Sequence, residues 1–322
     1  MEALHSPALI NVIYLIAASL FILGIKGLTH PRTAVRGNLI AGMGMLLAIL
    51  VTLVDKAIVG YGTILAGMVV GGGLGAVGAI RVQMTQMPQF VALFNGFGGI
   101  ASVLVAGAAF EEALGTGGGT VTAQFSVATA ASGLIGAVTF WGSLVAYGKL
   151  EEKLKSDFLV FPSQKFINGG LFALSIVLGY LTVGHDSLGW YWVLCLVASV
   201  LGLTLVTPIG GADMPVVIAL LNSYSGLAAA STGFILQNNV LIISGALVGA
   251  SGIILTRIMC KAMNRSLTNV IFGAMAAGGE VASADEIYGG KVKATSPEEV
   301  AMLLETARRV AIVPGYGMAV AQ

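Results

Sequence analysis

The sequence predicts an all-α polytopic membrane protein of nine transmembrane helices, followed by a truncated Rossmann-like α/β segment. Three observations predict it. The 322-residue chain is 57% hydrophobic and only 10% charged, with 45 glycines, where a soluble domain has about a quarter of its residues charged. Nine apolar stretches are each long enough to cross about 30 Å of hydrocarbon as a helix. The last residues then change character, toward capping and glycine-turn signals that a membrane span does not need. The net charge of +1 gives no reason to expect nucleic acid as a partner.

The expected spans run over 8–27, 38–54, 62–80, 88–109, 124–147, 167–184, 188–207, 215–236 and 239–260. Nine is odd, so the two ends lie on opposite sides. One set of loops and span ends holds Lys26, Arg32, Arg36, Arg81, Lys149, Lys153, Lys155, Lys165, Arg257, Lys261 and Arg265; the other holds only Lys56. Cytoplasmic loops collect the cations, which places the N-terminus outside and the C-terminus in the cytoplasm, or on the matrix side in an organelle. The first span follows Met1-Glu2-Ala3-Leu4-His5, which lacks a basic start, so no signal peptide is expected. Cys195 and Cys260 fall at different depths and read as two small buried hydrophobes rather than a disulfide.

Small residues fill the spans, as in Gly71-Gly72-Gly73-Leu74-Gly75, and let helix backbones approach closely in lipid. The run Gly115-Thr116-Gly117-Gly118-Gly119 reads as a flexible outer loop. More informative is an internal repeat. Met87-Pro88 through Asn95 to Gly99 aligns without gaps on Met214-Pro215 through Asn222 to Gly226. Four spans separate the copies, so both helices run in one direction, as in a parallel repeat about the membrane normal. A looser echo joins Ser132–Ala137 to Ser244–Ala250 and carries no argument by itself.

Residues 1–262 thus read as the transmembrane domain and 263–295 as a linker. Residues 296–322 open a second domain that stops before it can close. There Ser296-Pro297-Glu298-Glu299 forms a capping box with proline at the first helical position. Val300, Leu303, Leu304 and Ala307 give the helix an apolar face, and Arg308-Arg309 suit its C-terminus. A β-like run, Val310–Val313, leads to Pro314-Gly315-Tyr316-Gly317. Gly315 and Gly317 fit the first two positions of a phosphate-cradling turn; the third position is Val320.

The residues able to carry chemistry in the spans are few. Asn95 and Asn222 each lie seven residues after their proline, about 10 Å inside the membrane at 1.5 Å per residue. Two carboxamides at matched depth suit either helix–helix hydrogen bonding or a water-borne proton relay. Asp213 adjoins the second repeated helix and suits either a proton gate or an N-terminal helix charge. No Lys, Arg, Asp, Glu or His lies near the centre of a span, although a proton pathway normally shows such a group. No metal-ligating cluster is expected.

These residues resemble the β subunit of the proton-translocating NAD(P) transhydrogenases. The likeness runs from the first span to the last residue. It is most specific over Gly211–Val217, Leu221–Gly226, Ile258–Ser266 and Val313–Gln322. It implies a subunit that couples hydride transfer between NAD(H) and NADP(H) to proton movement across a bacterial inner membrane. NADP(H) would bind the complete C-terminal domain through Gly315, Tyr316, Gly317, Met318 and Ala319, and NAD(H) an α-subunit partner, in a dimer of α–β units. Asp213, Asn222 and Asn95 match positions of the proton path, and Gly252 a small position in the last span. Many members carry a channel histidine where this chain has Asn95, so the titratable group is expected from the partner. Lys261 and Arg265 read as contacts to the nucleotide domain or as anchors of the last helix. Two other readings stand beside this one. The first is a secondary transporter or channel with a parallel repeat; the second is a membrane scaffold whose polar residues only hold helices together.

Overall fold

The computed structural model describes residues 7–54, 60–117, 121–155, 159–161, 163–273 and 296–311. Among them, nine helices are long and apolar enough to cross a membrane. They are α1 (Pro7–Leu28), α2 (Pro31–Val54), α3 (Tyr61–Arg81), α4 (Met87–Gly117), α5 (Ala123–Leu150), α6 (Gln164–His185), α7 (Leu188–Val206), α8 (Met214–Ile235) and α9 (Asn239–Ala262). The expected spans are all present, with two shifted boundaries. α2 starts at Pro31, because proline suits a first helical position, where its missing N–H costs nothing. α4 is 31 residues long, about 46 Å at 1.5 Å per residue, and continues through Gly115 and Thr116 to Gly117 rather than looping there. A glycine lowers helix propensity by only about 1 kcal/mol, too little to stop a helix already formed over seven turns.

α5 is the central helix of the bundle. It packs against α4, α6, α7 and α8, and its buried positions are mostly small: Ala128, Ser132, Gly133, Gly136, Ala137, Gly142 and Ser143 among them. α8 lies between α4, α5 and α9, while α1 pairs with α2 and touches α9. α3 buries none of its residues. Two apolar clusters fill the ends of the bundle. The first, around Val206, Met214, Leu221 and Cys260, includes Val270, which lies in a π-helical turn, Asn269–Gly273. The second gathers around Val103, Phe110, Tyr191 and Leu201. Cys195 and Cys260 are free and buried.

The internal repeat is structural as well as sequential. A short 3-10 turn, Met84–Gln86, introduces α4, and another, Gly211–Asp213, introduces α8. Each repeated helix then presses a glycine into its successor. A Cβ on Gly99 would lie 2.7 Å from the Gly136 carbonyl of α5, and one on Gly226 only 2.4 Å from the Gly249 amide of α9. Helices approach this closely only where neither carries a side chain.

Residues 277–322 form a separate unit, whose described residues carry one helix, α10 (Pro297–Thr306). The Ser296 hydroxyl accepts from the Glu299 amide at 3.3 Å, the expected N-cap. The helix ends at Thr306, with Ala307 already extended, so Arg308-Arg309 lie beyond it rather than in its last turn. No β-strand occurs among the described residues, which include Val310 and Ala311 of the expected run. Gly315, Tyr316, Gly317, Met318 and Ala319 lie outside the described residues.

Candidate functional site

Asn95 and Asn222 hold matching positions in the repeated helices but stand in different surroundings. Asn95 is buried. Its Nδ2 donates to the Ser143 hydroxyl of α5 at 3.0 Å, and its backbone carbonyl accepts from the Ser225 hydroxyl of α8 at 3.4 Å. Asn95 therefore ties three helices together. Asn222 is half-buried and faces a cavity of about 630 Å³ between α1, α2, α3 and the α8–α9 pair. Ser225, Ser244 and Asn238 share that cavity, as does a Tyr14–Thr52 hydroxyl pair joined at 2.9 Å. The rest of the wall is apolar, so a few oxygens and amides converge in an otherwise greasy pocket, the usual make-up of a functional cavity.

Gly252 keeps the second repeat closed. A Cβ on it would lie 2.8 Å from the Ser223 backbone, and the Ser223 hydroxyl donates to the Gly249 carbonyl at 2.6 Å. Asn222 is thus held on a helix whose neighbouring residue is locked onto α9.

Asp213 ends the 3-10 turn before α8, and its side chain makes no cap hydrogen bond. Its Oδ1 is buried without a hydrogen-bond partner but lies 3.7 Å from the Arg265 Nε. Arg265 reaches it because α9 ends on Asn264 in the left-handed conformation, φ 52°, with the Arg265 amide donating back to the Cys260 carbonyl at 2.8 Å. Asparagine tolerates that cap position. Arg265, expected either as an anchor or as a contact to the nucleotide domain, therefore pairs within the bundle. Lys261 is exposed.

Lys149 differs most from expectation. It is not a loop cation but the penultimate residue of α5, buried, with its Nζ donating to the Thr207 carbonyl and to the Ile209 carbonyl at 2.8 Å. It satisfies acceptors past the end of α7, as cations at helix C-termini do, and so fixes the segment that leads to Asp213. On the same face the Gln89 amide donates to the Leu150 carbonyl at 3.2 Å. Ser143, Ser225 and Lys149 are the residues the sequence reading missed. Ser225 had one signal: it lies three residues after Asn222, on the same helix face. Among the described residues no group of His, Cys, Asp and Glu is placed to hold a metal ion.

Comparison with known proteins bears on nearly the whole chain. Residues 10–322 match the family model described as NAD(P) transhydrogenase beta subunit. A Rhodospirillum rubrum protein named NAD(P) transhydrogenase subunit beta is 46% identical over 313 residues, covering 96% of this chain and 68% of that protein. A protein of the same name from a catalogued strain of that species matches to the same extent.

Proposed function

The chain belongs to the NAD(P) transhydrogenase beta subunit family, and from that premise we propose which residues of this membrane-embedded, proton-translocating subunit carry the proton. The alternative readings, an unrelated transporter or a scaffold, are not favoured by that membership. The proposed route runs from Asp213 through the level of Asn95 and Asn222, with Gly252 setting the spacing of α8 and α9. One observation carries it. Of two carboxamides matched by the repeat, Asn95 is occupied in holding helices, while Asn222 opens onto a cavity lined by further hydroxyls and amides.

Carboxamides and hydroxyls order water and pass its protons along, but they do not titrate near neutral pH. The titratable group is therefore assigned to the α-subunit partner, on a helix approaching the Asn222 cavity. Coupling requires that the membrane domain prefer different protonation in different nucleotide states. Asp213 and Arg265 stand at the end of the bundle where α9 leads toward the second unit, and they suit that link. When bound, NADP(H) and NAD(H) supply the hydride chemistry. NADP(H) is assigned to the segment from Gly315 to Ala319 on a complete domain, and NAD(H) to the α subunit, in a dimer of α–β units. The excess of cations on one face supports an N-terminus outside and a C-terminus in the cytoplasm of a bacterial inner membrane. Residues 1–262 are then the proton domain, 263–295 the link, and 296–322 the opening of the nucleotide domain.

The test is proton uptake by the assembled α–β enzyme in liposomes, measured beside hydride transfer. The Asn222→Leu variant is expected to lose proton uptake about tenfold or more, the effect of removing about 1.4 kcal/mol or more of stabilisation from the rate-limiting state. Unchanged uptake would sink the relay.

A further inference from the structure

A second cavity, of about 560 Å³, opens between α5, α6, α7 and α8. The proposed proton route does not use it. Lys165 and Asn168 line one end of it from the first turns of α6, and the Tyr224 ring stands farther along on α8. Three residues apart on a helix, Lys165 and Asn168 share a face. Phe172, Leu205 and Leu220 continue the wall, and Leu134 and Leu227 lie deepest. Counting from the helix ends, those two stand about 20–24 Å along their helices. The groove therefore starts at the level of the lipid headgroups and runs past the midplane of a hydrocarbon layer about 30 Å thick.

Asn168 carries the second observation. It is 6% exposed, and its Nδ2 donates to the Thr204 carbonyl at 3.2 Å. A carbonyl can only accept, so the amide orientation is fixed and the Oδ1 is the remaining acceptor. That oxygen is buried with no hydrogen-bond partner. Leaving a buried acceptor without a donor is costly, so the site calls for a donor. Lys165 beside it calls for an anion. Below them the walls call for a hydrocarbon chain.

We infer that this groove is a binding site for one phospholipid, its phosphate on Lys165, a headgroup hydroxyl or ammonium on the Asn168 Oδ1, and an acyl chain along α6 and α8. Size decides between a lipid and a partner helix. A helix about 10 Å across and 20 Å long displaces about 1500 Å³, nearly three times the space, whereas pockets of about 300–1,000 Å³ suit single small molecules. Gly169 adds room where the chain would pass: it lines the groove, and a Cβ on it would meet nothing within 4 Å. The site also touches moving parts of the proposed machine. Tyr224, two residues after Asn222, and Ile271, in the π-helical turn after α9, both line it. An acyl chain there packs on the relay helix and on the start of the link together.

Native mass spectrometry of the assembled α–β enzyme, delipidated and titrated with phosphatidylglycerol or phosphatidylcholine, tests the site. The unmodified enzyme should hold one phosphatidylglycerol per β chain and bind phosphatidylcholine, which offers no headgroup donor, at least tenfold more weakly. Lys165→Gln should weaken phosphatidylglycerol retention about tenfold, the size of one charge-assisted hydrogen bond. Gly169→Phe should abolish retention, and since its new side chain enters open space, its melting temperature should match the parent's. Equal retention of the two lipids, or undiminished retention by Gly169→Phe, would overturn the proposal. So would crosslinking of a Gly169→Cys variant to the α subunit instead of to lipid.

Discussion

Gly252 of α9 faces the backbone of Ser223 in α8 so closely that a Cβ added to it would lie 2.8 Å from the Ser223 Cα, Cβ and N. The residue before Ser223 is Asn222, and the Ser223 hydroxyl grips the Gly249 carbonyl. Any change that separates these helices therefore moves the relay residue as well as the seam. The same glycine-on-backbone contact recurs at Gly99 and Gly136 in the first repeat. The repeat has kept a way of packing two helices, and the polar residues ride on it.

Two effects of opposite sign meet in Gly252→Ala. Alanine raises helix propensity by about 1 kcal/mol, but a side chain forced into a packed seam costs about 1–3 kcal/mol. At 2.8 Å from backbone the clash wins. Thermal unfolding of the assembled enzyme in detergent should show a lower melting temperature, with proton uptake falling more than hydride transfer. Gly71→Ala in α3, where a Cβ would meet nothing within 4 Å, should leave the melting temperature unchanged or raised. If the two variants behave alike, the close approach at Gly252 is not what matters there.

Asn95 and Asn222 should fail differently. Asn95→Leu strands the buried Ser143 hydroxyl, whose lost partner costs about 1–3 kcal/mol, so the main effect is on stability. Asn222→Leu removes a side chain that faces a cavity, so stability should hold while proton uptake drops. Unfolding midpoints and proton-to-hydride ratios, measured on both variants, separate the roles. Equal loss of stability in both would make Asn222 a structural residue like its counterpart.

Much of this was legible in the sequence, for physical reasons. Helices that cross lipid must be long and apolar, so all nine could be found, and Pro31 and Gly117 misled only at their ends. Asn95 and Asn222 stood out because the repeat marks them; Gly252, one glycine among 45, stood out only through the family resemblance. Ser143 could not be picked out, and Ser225 only by its place three residues after Asn222, because a serine in a membrane helix commonly bonds the carbonyl four residues back, as Ser19, Ser175 and Ser199 do here. Only the packing of α4 against α5 and α8 shows which serines bond across helices. Lys149 was hidden for a similar reason: a lysine at a span end usually reaches to the interface, and nothing in its neighbours says that this one turns inward.

Lys149→Met tests that inward turn. Methionine keeps most of the apolar volume but leaves the Thr207 and Ile209 carbonyls without their donor. The expected cost is about 1–3 kcal/mol, read as a lowered unfolding midpoint of the assembled enzyme. Lys149→Arg, which still donates, should recover most of it. Loss in neither variant would return Lys149 to the role of a surface anchor.

The pair of Asp213 and Arg265 offers the sharpest measure of the link after α9. The arginine is 54% exposed and the aspartate 14%, with 3.7 Å between Nε and Oδ1. A pair open to solvent on one side contributes about 0.2–1 kcal/mol, so its worth to folding is small. Its worth to coupling need not be, because the aspartate oxygen has no other partner and the arginine follows the cap of α9. A double-mutant cycle with Asp213→Asn and Arg265→Gln separates the two. Unfolding midpoints should give a coupling energy below about 1 kcal/mol. The proton-to-hydride ratio should fall in each single variant and fall little further in the double one, as expected when two residues act through one contact. Additive losses in that ratio would mean that Asp213 and Arg265 act on the proton independently, and the link would have to be sought elsewhere along residues 257–295.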